Sequence, residues 1–277
     1  MKAMIFVLVA PAAHALAGCS QMSDTGEEGL TSEAANALCI ENSLSTNAID
    51  LNGVLSNGID LNGLDPDLLS PSALAAIQDP GEFGENSRLL YRYVVGCAYD
   101  ATQSLSFTWT DSLGVVHPEV YWGSLGLSPS WKYTSITPNV RRAVSACIAA
   151  RANYYGTPVT ISMRGPEEAI KHADATELAA FPMEEGTFWG DLFDGAPQLY
   201  ACHNDANRAH SRTKLRECAA GHLGENNEIT GCVHITIVGN CDAVCDPLNS
   251  TNFYRPRCYD SELGAMTNDV VTVFLPQ

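Results

Sequence analysis

Basic side chains are scarce in this 277-residue sequence: 15 Lys and Arg face 32 Asp and Glu, for a formal net charge of −17. A surface of that sign repels phosphate backbones and anionic headgroups, which excludes nucleic acid as a partner. It suits solubility outside the cell, divalent cations or a basic partner, and most simply a solvated acidic face. Long apolar runs are absent beyond the first eighteen residues, so no later segment reads as a membrane span. No Gly-x-Ser-x-Gly occurs, which removes the strained elbow of a serine hydrolase. The spacing of neither an EF-hand loop nor a glycine-rich nonapeptide is present, so calcium is not expected despite the abundant Asp and Asn.

What is present at the start decides the compartment. Lys2 supplies a positive n-region, and Ala3 to Ala17 form an apolar stretch broken by Pro11 and His14. That is too short for a spanning helix and fits a signal peptide. The stretch ends Leu16-Ala17-Gly18-Cys19, which resembles a bacterial lipobox; a plain secretory signal with a chance cysteine is the alternative. Residues 1–18 are thus expected to be removed, Cys19 to be lipidated, and the chain to hold a membrane through acyl chains. Ser20 after the cysteine implies the outer membrane, on its periplasmic face or at the cell surface.

Ten cysteines in an exported chain indicate disulfides rather than metal or redox sites. With Cys19 acylated, an odd set remains, and Cys39 is the thiol expected to be left over. The preferred pairs are Cys97–Cys147, Cys218–Cys232, Cys245–Cys258 and Cys202–Cys241. No metal or other cofactor is expected.

Residues 19–85 are acidic and rich in Ser, Asn and Gly, which suits a loosely ordered tether. Inside it, residues 47–66 repeat every five positions in the register Asn, small, aliphatic, any, Leu. This resembles the repeat of square β-coils, but four units make only about one coil, so a stalk or a short packed add-on is expected. Ser70-Pro71 opens a short helix.

Residues 86–277 are expected to form one disulfide-rich α+β domain with a mainly antiparallel sheet and two packed helices. Leu90, Tyr93, Val94 and Cys97 mark the first helix, and Val140, Val144, Cys147, Ile148 and Arg151 the second. Strands are expected at Leu105-Phe107-Trp109, Val159-Ile161-Met163, Val233-Ile235-Ile237 and Val271-Val273-Leu275.

Several segments together resemble a group of exported cysteine-rich lipoproteins abundant in myxobacteria and related bacteria. They are Val144–Cys147, Ala150–Gly156, Ile161–Gly165, Glu185–Phe193, Tyr200–Cys202 and Gly239–Cys245. The resemblance implies compartment and source; it implies no activity.

Candidate chemistry is confined to two places. Glu184, Glu185, Asp191 and Asp194 flank Phe188-Trp189-Gly190, as carboxylates flank an aromatic shelf in glycoside hydrolases and sugar-binding surfaces. A hairpin with an aromatic core plug and charged edges is the plainer explanation. His203, Asp205 and His210 cluster in sequence and could serve a nucleophile or, with His222 and His234, a metal; solvated loop residues and an outward strand position are the plainer explanation. Ser162 is expected on a polar sheet surface, and Arg151 in a buried pair. The chain is therefore expected to be a non-catalytic envelope or surface protein that binds an envelope protein or glycan or plays a structural part. The alternative is a cell-surface hydrolase acting on polysaccharide through Glu185 and Asp191 with His203 or His210.

Overall fold

The structure, a computed structural model, describes residues 44–45 and 59–277 except 233 and 252. In chain order the first elements are β1 (Leu44–Ser45), α1 (Pro71–Gln78), α2 (Glu82–Ala98), β2 (Ser104–Thr110), β3 (Val116–Trp122) and α3 (Pro138–Arg151). Then come β4 (Ala152–Asn153), β5 (Ser162–Arg164), α4 (Ala175–Ala180), β6 (Met183–Asp191), β7 (Gln198–His203) and α5 (Arg208–Thr213). The last stretch adds β8 (His222–Leu223), β9 (Ile229–Thr230), β10 (Ile235–Asn240), α6 (Cys241–Val244), β11 (Cys258–Asp260), β12 (Ala265–Thr267) and β13 (Val270–Leu275). No helix among the described residues is long and apolar enough to cross a membrane.

The fold is α+β with mainly antiparallel pairing. Five strands form the central sheet in the order β10-β7-β6-β13-β5, and only the β10–β7 pair is parallel. Strand alternation divides the core between the two faces of this sheet. Phe188, Ala201, Val271 and Val273 join the main cluster, with α3 packed on β6 and β13. Their neighbours Trp189, Tyr200, Cys202 and Val270 join a second cluster with Cys241, Cys245 and Cys258. Both faces are therefore covered, and β13 is buried at every position.

Helix ends follow local chemistry. The Ser70 hydroxyl accepts from the Ala73 N–H and Pro71 fills the first helical turn of α1. Glu82 and Glu85 sit in the first turn of α2, where the helix dipole favours negative charge. Its buried side carries Leu90, Tyr93, Val94 and Cys97 as the periodicity predicts, and Cys97 bridges to Cys147 on α3. Cys202–Cys241, Cys218–Cys232 and Cys245–Cys258 bring the disulfides among the described residues to four, and all four are the expected pairs. Cys19, Cys39, the leader 1–18 and the repeats up to residue 58 lie outside the described residues.

Four expectations need correction. The packed core starts well before residue 86: Ile59, Leu64, Leu69, Ala73 and Ile77 all belong to it. Ile59 and Leu64 are the third-position aliphatics of the last two repeats, so this end of the repeat packs on the domain. The Trp131 indole donates to the Asp60 carbonyl (3.1 Å), and the Leu64 N–H donates to the Trp131 carbonyl (3.0 Å). Second, the strand expected from residue 233 begins at Ile235, with Val233 outside the described residues. His234 precedes it at φ +75°, in a turn, and is not an outward strand residue. Third, Ser162 is fully buried. Its hydroxyl donates to Glu177 (2.6 Å) and accepts from Arg164 (2.9 Å). Fourth, the buried Arg151 guanidinium lies over the Tyr93 ring at 4.5 Å, and the neighbouring Glu185 and Glu184 pair with Arg216 and Arg255.

Candidate functional site

The acidic residues beside the Phe188-Trp189-Gly190 shelf do not converge. Glu185 and Asp191 lie six positions apart on β6, roughly 20 Å at the rise of a strand. Glycosidase carboxylates sit about 5–10 Å apart across the scissile bond. Each carboxylate here is also held by an arginine. Arg141 Nε donates to Asp191 (2.9 Å), and the same guanidinium reaches Asp194 (3.3 Å). Glu184 pairs with Arg255 (2.6 Å) and accepts from the Asn204 amide (2.7 Å).

Glu185 is the most deeply held of them. The register of β6 on β13 slips between Glu184 and Gly186, which makes Glu185 a bulged residue and lets adjacent glutamates reach different arginines. Its partner is Arg216 (3.0 Å), and both side chains are fully buried. The same guanidinium donates to the carbonyls of Ala152 (2.6 Å) and Ala150 (2.7 Å). Burial raises the Glu185 pKa, opposed by the adjacent Arg216 charge. These acids clamp elements onto the sheet; they do not frame a cleft.

The histidines are separate as well. His203 ends β7, with Nε2 at 2.9 Å from Asp205, and burial lowers its pKa. His210 Nε2 lies 2.7 Å from the Pro276 carbonyl and ties α5 to β13's end. His222 meets Glu217 instead (2.6 Å). Among the described residues, the sulfurs of Cys202, Cys245 and Cys258 come within ligating distance of one another, but all three are in disulfides and offer no thiolate.

A further acidic pocket sits where α3 begins. Arg142 pairs with the fully buried Asp260 and lies 3.8 Å from Asp269. Burial pushes Asp269 up to about 6, against a hydrogen bond from Thr267 and the Arg142 charge. A carboxyl whose folded pKa is raised is ionised at a cost at neutral pH, and folding gains as pH falls through about 6. Asp269→Asn is expected to raise stability at pH 7 by on the order of 2–3 kcal/mol, the advantage disappearing near pH 4. Urea unfolding of both proteins across that range checks it; an advantage that persists at pH 4 would rule out this cause.

The β2–β3 hairpin does face solvent. Its inner face is fixed on α2: Phe107 meets Tyr121 edge-on at 5.5 Å, Arg88 lies over Trp109 at 3.8 Å, and Arg92 over Tyr121 at 5.1 Å. In register on the outer face, Ser104, Ser106, Thr108 and Thr110 oppose Trp122, Val120, Pro118 and Val116. Trp122 is 60 % exposed. Directly across from it, Ser104 enters a cleft of about 320 Å³ lined by Asp65, Pro66, Asp67, Ser106 and Lys132. Lys132 Nζ donates to the Ser104 carbonyl (3.1 Å) and lies 5.3 Å from the exposed Tyr133 ring. The cleft thus offers carboxylate acceptors, an ammonium donor and two hydroxyls that do either, and Trp122 pairs in register with one of its lining residues, Ser104.

Sequence reasoning finds the inner row Leu105-Phe107-Trp109 and misses this outer one. The signal is there: Val116, Pro118, Val120 and Trp122 alternate, after the turn at Asp111 to Gly114, with polar and aromatic partners. The cleft also needs Asp65 and Asp67 from the repeat end, nearly forty residues upstream of Ser104. The chain matches no protein-family model, no curated protein and no solved structure, and its chemistry has to be read from its own side chains.

Proposed function

We propose that the chain is an exported, lipid-anchored binding protein of the bacterial envelope that holds a glycan on the β2–β3 face and does not turn it over. The observation that carries this is Trp122, exposed and paired in register with Ser104, which lines the cleft together with Asp65, Asp67 and Lys132. A pyranose presents an apolar C–H face, which lies on an indole ring, and hydroxyls that need both donors and acceptors at its rim. A net charge of −17 disfavours sulfated or phosphorylated sugars, so the ligand is a neutral or amino sugar. Four disulfides support an oxidising compartment. The segment Leu16 to Cys19, and the likeness to exported cysteine-rich lipoproteins, support a lipid anchor at Cys19 and outer-membrane delivery. The dispersal of Glu185, Asp191, His203 and His210 favours binding over hydrolysis.

Calorimetric titration of the acylated chain in detergent with neutral and amino-sugar oligosaccharides tests the proposal. Saturable binding is expected, weakened at least tenfold by Trp122→Ala, with no new reducing ends. Release of reducing ends would make the protein a hydrolase. Binding unaffected by Trp122→Ala would remove the hairpin from the site, and no binding to any member of the panel would sink the glycan assignment.

A further inference from the structure

On the opposite flank of the sequence from the hairpin, three side chains that the glycan site does not use bring their donor atoms together. Tyr155 Oη lies 2.9 Å from Glu217 Oε2 and 3.3 Å from His222 Nδ1, and the last two atoms are 2.6 Å apart. The atoms form a closed triangle of phenol oxygen, carboxylate oxygen and imidazole nitrogen. At most two protons, one on the hydroxyl and one on Nδ1, are available for its three edges. Hydrogen bonding therefore accounts for two edges, whereas a single cation accounts for all three. Ligands about 2.1 Å from one ion and at right angles to each other lie about 3 Å apart, which is the size of this triangle.

The supports of these side chains are rigid. Tyr155 follows α3 and β4 through a turn in which its N–H donates to Asn153 Oδ1 (2.8 Å), and Gly156 takes φ +63°. Glu217 stands between Arg216, anchored on the Ala150 and Ala152 carbonyls, and Cys218, anchored to Cys232. Arg212 donates to the Ala220 and Gly221 carbonyls (2.8 and 2.9 Å), which sets the turn before His222. Tyr154 stacks on the His222 ring at 4.4 Å and 10°. Preorganised ligands held by a second layer of contacts are what a metal site requires. Tyr155 is 45 % exposed, so one side of the triangle is open for water or a further ligand.

We propose that Tyr155, Glu217 and His222 bind one transition-metal ion as a facial set, and that the ion is ferric iron. Two anionic oxygens with one imidazole match a hard trivalent cation better than the softer divalent ions, which favour nitrogen and sulfur. Binding exchanges the Tyr155 hydroxyl proton for the ion and releases that proton to water; Glu217 binds as carboxylate and His222 through the Nδ1 lone pair.

The test is titration of the full chain with ferric nitrilotriacetate, read by visible absorption and by equilibrium dialysis. One ion per chain and a tyrosinate-to-iron charge-transfer band are expected. Tyr155→Phe should abolish the band and weaken binding at least tenfold, Glu217→Gln should weaken it comparably, and Tyr133→Phe should change neither. Circular dichroism matching the parent keeps these comparisons meaningful. Absence of the band in the parent chain, or its persistence in Tyr155→Phe, overturns the site. Zinc or copper held by these residues in preference to iron overturns the choice of cation.

Discussion

Arg216→Met is expected to destabilise the protein by about 3–5 kcal/mol, because it leaves a buried carboxylate without its counter-charge. Arg216 and Glu185 are both fully buried, and the guanidinium also satisfies the carbonyls of Ala150 and Ala152. Removing the cation leaves all three acceptors in a low-dielectric interior, where each unpaired polar group is costly. Denaturant unfolding at pH 7 gives the loss. The double variant Glu185→Met with Arg216→Met separates the charge from the packing: it should be markedly more stable than Arg216→Met alone, since an apolar pair replaces an orphaned charge. Acid should also narrow the gap between parent and Arg216→Met, as the Glu185 pKa is already raised by burial and rises further without Arg216. A single variant as stable as the parent would show that water reaches Glu185.

The second large effect concerns Cys97–Cys147, whose sequence separation is 50. Loop-closure entropy gives this cross-link about 4 kcal/mol, against about 3 kcal/mol for Cys218–Cys232 with its separation of 14. Replacing both Cys97 and Cys147 with Ala is expected to lower the melting temperature by about 8–16 °C, at 2–4 °C per kcal/mol for a domain of this size. The same change at Cys218 and Cys232 should cost less in global stability, yet loosen the segment carrying Glu217 and His222. Thermal unfolding of the two double variants checks the order, and a reversed order would mean that strain in the folded state outweighs the chain-entropy difference.

The parts of this fold legible in sequence are those with a local signal. The α2 stripe of Leu90, Tyr93, Val94 and Cys97 repeats at helical period, and Cys97 and Cys147 on two buried stripes define their own bridge. The short helix after Ser70-Pro71 is announced by its cap. What fails is whatever depends on distant partners. Glu184, Glu185 and Asp191 look like solvated edge charges because Arg255, Arg216 and Arg141 lie 31 to 71 residues away along the chain. β6 and β13 show little alternation of polarity, since the sheet is covered on both faces. The Tyr155–Glu217–His222 triangle is invisible for the same reason: 62 residues separate its first two members, and no spacing rule connects them.

The placement of β13 between β6 and β5 has a kinetic consequence. Among the described strands, β5 pairs only with β13, so Arg164 waits for Thr272 before its edge of the sheet exists. At 5–20 residues per second, the ribosome needs about 5–20 s to make the intervening chain. During that interval β6, β7 and β10 have one another to pair with, while β5 and the β6 edge that takes β13 stay unpaired.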